Sequence, residues 1–130
     1  MPILDTSFLV DLLRGRGEAL ALLAELEERG AALTTTPITA LELYRGAHLS
    51  ADPERSLAAA KKLLAALIVL PLDEEACTVF GALSARLRSE GRRIGDFDEV
   101  IAAIALACDR VIVTRDGHFS EVSGLVVVDW

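Results

Sequence analysis

A parallel α/β fold, with four to five strands covered by helices on both faces, is the architecture this sequence predicts. Three observations lead there. Short apolar runs alternate with longer stretches of helical period, the pattern of a buried parallel sheet rather than an antiparallel one. The helical stretches carry their own start and stop residues. No repeat, low-complexity segment or linker interrupts the 130 residues, so residues 1–130 read as one domain.

Taken in order, Pro2 to Leu4 is a short buried strand that ends at Asp5. Thr6 or Ser7 then caps a short helix through Leu13, and Gly15 and Gly17 break it. A second helix spans about Glu18 to Glu28, with Leu20, Leu23 and Leu26 on one face, and Gly30 ends it. Ala31 to Thr34 is the second strand. Thr36-Pro37 is a cap followed by a first-turn proline, opening a helix that carries Ile38, Leu41, Glu42 and Tyr44 and stops at Gly46. Pro53 opens a helix through about Leu67, and Ile68 to Leu70 is a third strand closed by Pro71. Asp73-Glu74-Glu75 starts a helix to about Glu90. Asp96-Phe97-Asp98-Glu99 reads as a capping box, with Asp96 as the cap and Glu99 reaching back. Behind it Phe97, Val100, Ile101, Ile104 and Cys108 keep the helical period. Arg110 to Thr114 and Leu125 to Val128 supply the fourth and fifth strands.

The hydrophobic fraction of 52% supports a core without disulfides or structural metals. Cys77 and Cys108 form no C-x-x-C and read as buried free thiols in a reducing compartment. The N-terminus lacks the pattern of a signal peptide, and no apolar run is long enough to span a bilayer, so a soluble cytoplasmic protein with no membrane partner is expected. The net charge of −7 argues against broad, non-specific nucleic-acid binding. It leaves room for a nuclease whose acids hold cations and whose arginines form a local rim. Arg14, Arg16, Arg45, Arg86, Arg88, Arg92, Arg93 and Arg115 are the candidates for that rim.

In a parallel sheet, ligands bind beyond the carboxyl ends of the strands. Asp5 ends the first strand there, and Asp116 lies just past the fourth. Asp98 stands in the first turn of the helix that feeds the fourth strand, and Glu42 lies about one and a half turns into the helix after the second. Each acid alone has a plain explanation: a turn, a helix N-terminus or a solvated face. Together they matter more. Two carboxylates about 5 Å apart repel by roughly 3 kcal/mol at an effective dielectric near 20, so such a group stays ionised only around a cation. Oxygen donors select hard ions, so magnesium or manganese is favoured over zinc, and an open acidic site of that kind suits phosphodiester hydrolysis by a metal-activated water. His118 reads as a turn residue or a substrate contact, with no task as a base.

These residues fall in a familiar order. Leu4-Asp5-Thr6-Ser7, Glu42-Leu43-Tyr44-Arg45-Gly46, Ile94-Gly95-Asp96-Phe97-Asp98 running into Ile101-Ala102-Ala103, and Val113-Thr114-Arg115-Asp116 with His118-Phe119 resemble the PIN-domain ribonucleases. The nearest likeness is to the VapC toxin group of toxin–antitoxin pairs, and it extends over essentially the whole chain, including Gly124 to Trp130. The resemblance implies a three-layer α/β/α fold and a magnesium- or manganese-dependent endoribonuclease. It matches Asp5, Glu42 and Asp98 to the family's first three acids and Asp116 to a more variable fourth. Thr6 and Ser7 match a site-supporting hydroxyl, Thr114 lies in the last motif, and Asp96 stands where the family varies, as a supporting residue or a cap. A homodimer, an RNA substrate and a small cognate antitoxin that blocks the acidic groove are likewise implied. Hydrolysis at such a site leaves a 5′-phosphate and a 3′-hydroxyl.

Two other chemistries fit less well. A phosphoryl-accepting receiver-like domain wants a late lysine, and none follows Lys62. A haloacid-dehalogenase-type phosphatase wants an aspartate where Ser7 stands. A catalytically silent PIN-fold binding scaffold is the remaining alternative, and the presence of all four acids weighs against it.

Overall fold

Strand β1 (Ile3–Leu4) lies at the centre of a five-stranded sheet in the computed structural model, which describes all residues, Met1–Trp130. On one side it pairs with β2 (Thr34–Thr35), which pairs in turn with β3 (Ile68–Val69). On the other it pairs with β4 (Val111–Val113), followed by β5 (Val126–Val128). Every pairing is parallel, and the order is β3-β2-β1-β4-β5. The chain therefore builds outward from β1 in one direction and then in the other. The crevice between β1 and β4 is where that direction reverses, the place where such sheets bind ligands.

Alternation along β1 and β4 divides the core into two helical layers. Leu4 and Val113 face helices α1 (Thr6–Leu13), α2 (Gly17–Glu28), α3 (Pro37–His48) and α4 (Pro53–Ala65), meeting Phe8, Leu26, Leu43 and Leu64. Ile3 and Ile112 face α5 (Glu74–Ser89) and α6 (Asp96–Leu106), meeting Leu83, Ile101, Ile104 and Phe119. This is the expected α/β/α sandwich, with the sheet as its middle layer.

Local signals explain three of the six helix starts, those of α3, α4 and α5. The Thr36 hydroxyl accepts from the Thr39 amide (3.1 Å) ahead of Pro37, and the Asp73 carboxylate accepts from the Ala76 amide (2.9 Å). No helix is long and apolar enough to cross a membrane.

Several expectations are corrected. The second strand is Thr34–Thr35 rather than 31–34, because the threonine hydroxyls donate to the Pro2 and Leu4 carbonyls (2.8 Å each) and lock that register. Gly46 lies inside α3 instead of ending it, and Gly17 is the first residue of α2. Leu20 and Cys77 are exposed, on the outward faces of their helices, so the Cys77 thiol is not in the core. Asp96 does not cap α6. Gly95 holds the cap position at φ +101°, which a side chain would strain, and no side chain caps the helix there. Glu99 does reach back, but past the cap: its carboxylate accepts from the Ile94 amide (3.2 Å) and from Arg93 in a two-point fork (3.1 Å each).

The C-terminus is tied down beside α1. The Trp130 ring meets Phe8 edge-on at 5.0 Å, its indole N–H donates to Asp11 (3.0 Å), and the Arg115 guanidinium lies 4.6 Å above it. Trp130→Ala should destabilise the fold by roughly 2 kcal/mol, less than a fully buried tryptophan because the ring is partly exposed. Thermal unfolding would register this as a fall of several degrees; an unchanged midpoint would mean that the tail is not structural.

Candidate functional site

Four separate segments bring carboxylates to the carboxyl edge of the sheet. Asp5 follows β1 directly and its amide donates to the Val113 carbonyl (3.0 Å), so the first acid is fixed by the β1–β4 pairing itself. Glu42 comes from α3, Asp98 from the first turn of α6 and Asp116 from the turn after β4.

Three hydroxyls hold this arrangement. Thr114 donates to Asp5 Oδ2 (2.7 Å) and its oxygen accepts the Asp116 amide (3.0 Å). With the Thr114 proton committed to Asp5, Ser7 is the donor in its 3.3 Å contact with Thr114, and Ser7 also accepts the Arg115 amide (3.2 Å). Thr6 donates to Glu42 Oε1 (2.8 Å). The pair Thr6-Ser7 thus links β1 to both α3 and the loop after β4.

The acids feel one another. Burial pushes the Asp5 carboxyl up from its ordinary 3.8 to about 6; the Thr114 hydroxyl and the Thr6 amide pull it down, while the charges of Glu42 and Asp98 push it up. Asp98 is raised as well, by burial first and then by the charge of Asp116, with a hydrogen bond from His118 acting the other way and the charge of Glu42 adding to the rise. Asp5, only 5% exposed, is therefore an acid that gains from a nearby cation. Asp98, Asp116 and His118 offer ligand atoms that all lie within 4.8 Å of one another. Asp5 and Glu42 lie outside that tight triplet and are tethered to their threonines. A donor set dominated by carboxylate oxygen fits a hard divalent ion.

Asp96 is not drawn in. Its side chain is exposed and pairs with Arg93. The arginines divide likewise. Arg92 pairs with Glu121 and Glu90, Arg93 with Glu99 and Asp96, and Arg115 with Asp11, Glu18 and Asp129. No such pairs engage Arg14, Arg16, Arg45, Arg86 or Arg88. An open groove of about 390 Å³ between α1, α3 and α4 runs to Glu42, with Arg14 and Arg55 along it and Val10, Leu43 and Ala60 on its floor.

Two residues have places in the structure that the sequence reading did not give them. Glu99 is a fully buried carboxylate that fixes the start of α6, one position from Asp98. His118 sits against the acids, with Nδ1 3.5 Å from Asp98 and 3.4 Å from Asp116. The signal for His118 was local: Asp116 Oδ1 accepts the His118 amide (2.9 Å), a turn that an aspartate two residues upstream favours.

The chain is similar to known proteins over most of its length. The family model for the PIN domain matches residues 3–125. Ribonuclease VapC19 of Mycobacterium tuberculosis is 34% identical over 120 residues, 92% of each chain. The tRNA(fMet)-specific endonuclease VapC of Shigella flexneri is 38% identical over 94 residues, 72% of this chain and 71% of that one. Among solved structures, VapBC-1 from nontypeable Haemophilus influenzae superposes with a TM-score of 0.85 at 30% identity, covering 98% of this chain and 96% of that one.

Proposed function

The chain belongs to the PIN-domain family and, within it, to the VapC ribonucleases, and from that premise we propose that it is a divalent-metal-dependent endoribonuclease, the toxin of a toxin–antitoxin pair. Asp5, Glu42, Asp98 and Asp116 hold a magnesium or manganese ion and carry the catalysis. The observation that carries this reading is the gathering of four acids from four segments at the β1–β4 crevice, with Asp5 raised to about 6 by burial and, in part, by its neighbours' charges.

The ion supplies Lewis acidity, making water more acidic and neutralising charge on the scissile phosphate. The protein's own groups do the rest. Thr114 and Thr6 each donate to one carboxylate oxygen, of Asp5 and Glu42, and so position the two acids that would hold the ion. Asp116, whose amide is held by the Thr114 oxygen, stands beside Asp98 as the remaining pair of acids that would hold it. Unpaired Arg14 and Arg45, near Glu42 in sequence or along the groove, offer the RNA backbone a positive rim on a chain of net charge −7. Arg92, Arg93 and Arg115 are already engaged by acids and contribute less to that rim. The same groove, apolar on its floor and ending at an acid, suits the tail of a cognate antitoxin. The protein acts in the cytoplasm as a homodimer.

The test is cleavage of a labelled single-stranded RNA by purified, antitoxin-free protein in magnesium, in manganese and in chelator. Cleavage in either metal and none in chelator is the expected result, with a 5′-phosphate and a 3′-hydroxyl at the new ends. Products ending in a 2′,3′-cyclic phosphate would mean that the ribose hydroxyl attacked, and would overturn the role given to the acids.

A further inference from the structure

We propose that His118 is a nitrogen ligand to the divalent ion at Asp98 and Asp116, and that it tilts the site toward first-row transition ions, manganese among them, over magnesium. This rests on the reading of the acids as a metal site.

The placement of the ring is constrained at both ends. The His118 amide is held by Asp116 Oδ1 (2.9 Å), so the residue that presents a carboxylate also fixes the backbone of the histidine. The next side chain, Phe119, is fully buried among Leu83, Ile101 and Ile112, which anchors the short turn Gly117–Glu121 to the α5–α6 layer. The imidazole itself is open to solvent, its side chain 62% exposed, and has no apolar pocket to fill. Its Nδ1 lies 3.5 Å from Asp98 Oδ2 and 3.4 Å from Asp116 Oδ1, and the ligand atoms of all three residues lie within 4.8 Å. Adjacent ligands with bonds of about 2.1 Å lie roughly 3 Å apart, and opposite ligands roughly 4.2 Å, so these separations are those of groups sharing one ion after small adjustment. Neutral imidazole is a poor partner for strongly hydrated magnesium, whereas affinity at mixed nitrogen–oxygen sites rises through the first-row transition ions. Two carboxylates and one imidazole, brought together from the start of α6 and the turn after β4, therefore differ in metal preference from carboxylates alone.

The test uses the metals themselves, apart from any RNA. Manganese and magnesium are titrated calorimetrically into wild-type, His118→Ala and His118→Asn proteins, and the manganese-loaded forms are examined by electron spin-echo spectroscopy for coupling to imidazole nitrogen. The exposed position makes misfolding of these variants a small concern, and asparagine keeps an amide donor near the place of Nδ1. The expected result is nitrogen coupling in the wild type and none in either variant. Manganese affinity should fall about tenfold or more while magnesium affinity changes by less than about twofold. Manganese binding without nitrogen coupling, or an unaltered metal preference in His118→Asn, would overturn the inference and leave the acidic site standing. A wild type that binds neither ion would overturn both.

Discussion

Asp5→Asn is expected to reduce RNA cleavage roughly a thousand-fold, equivalent to about 4 kcal/mol of lost charge stabilisation, and yet to make the metal-free protein more stable. The two effects have one cause. The Asp5 carboxyl takes up a proton at about 6 in the folded chain and at about 3.8 when free, so between those values the folded state binds more protons than the unfolded one. Stability in chelator should then fall as pH rises through this window, and the difference corresponds to at most about 3 kcal/mol. Asparagine has no such charge, and its carbonyl oxygen still accepts the Thr114 hydroxyl. Urea unfolding in chelator at pH 4.5 and 7.5 checks this. The wild type should weaken between the two, and the variant should weaken less, because Asp98 remains. Adding manganese at pH 7.5 should restore the wild type and leave the variant unmoved. A variant weaker than the wild type in chelator at pH 7.5 would show that the buried charge carries no cost.

The second large effect is at Glu99, and its pH dependence has the opposite sign. Burial pushes the Glu99 carboxyl up, but hydrogen bonds from Arg93, Ser84 and the Ile94 amide, with the charge of Arg93, bring it below its ordinary value. A depressed carboxyl contributes stability above its unfolded pKa of about 4.5 and loses it as pH falls through the folded value. Glu99→Ala removes the acid from a fully buried position and orphans the Ile94 amide; we expect a loss of about 2–3 kcal/mol at pH 7. The upper end of the usual range does not apply because Arg93 is partly solvated and keeps Asp96 as a partner. Replacing both Glu99 and Arg93 by apolar residues should recover part of the loss, since no charge is then left facing the core while the Ile94 amide stays unpaired. Equal stability of Glu99→Ala and the wild type in urea would mean that this pair does not hold α6. From these two groups together, the metal-free protein should lose stability as pH rises from about 4.5 to above 6, and a bound divalent ion should reduce that loss.

What could be read from the sequence divides along the line between local and distant interactions. Thr36-Pro37, Pro53 and Asp73 announce helices because a cap acts within one turn. The acids at the ends of β1 and β4 could be picked out because a parallel sheet presents its strand ends to ligands. The position of β2 could not, since Thr34–Thr35 is chosen by pairing with Ile3 and Ile68, far away in the chain. Nor could the meeting of Asp98 with His118, which depends on where α6 begins relative to the turn after β4. Glu99 was read as half of a capping box. Its actual partners, Arg93 and Ile94, lie just before the cap, and only the fold shows that the group is sealed from water.

The β1–β4 pairing also sets when, during synthesis, the acidic edge can form. Ile3 and Leu4 are made well before their partners Ile112 and Val113, which lie more than a hundred residues further along the chain. A nascent chain that has not yet delivered β4 lacks the neighbour that orders Asp5, and lacks Thr114 and Asp116 altogether. Contacts between residues so distant in sequence also form late and slowly. The four acids can therefore gather only after β4 and the turn behind it have been made.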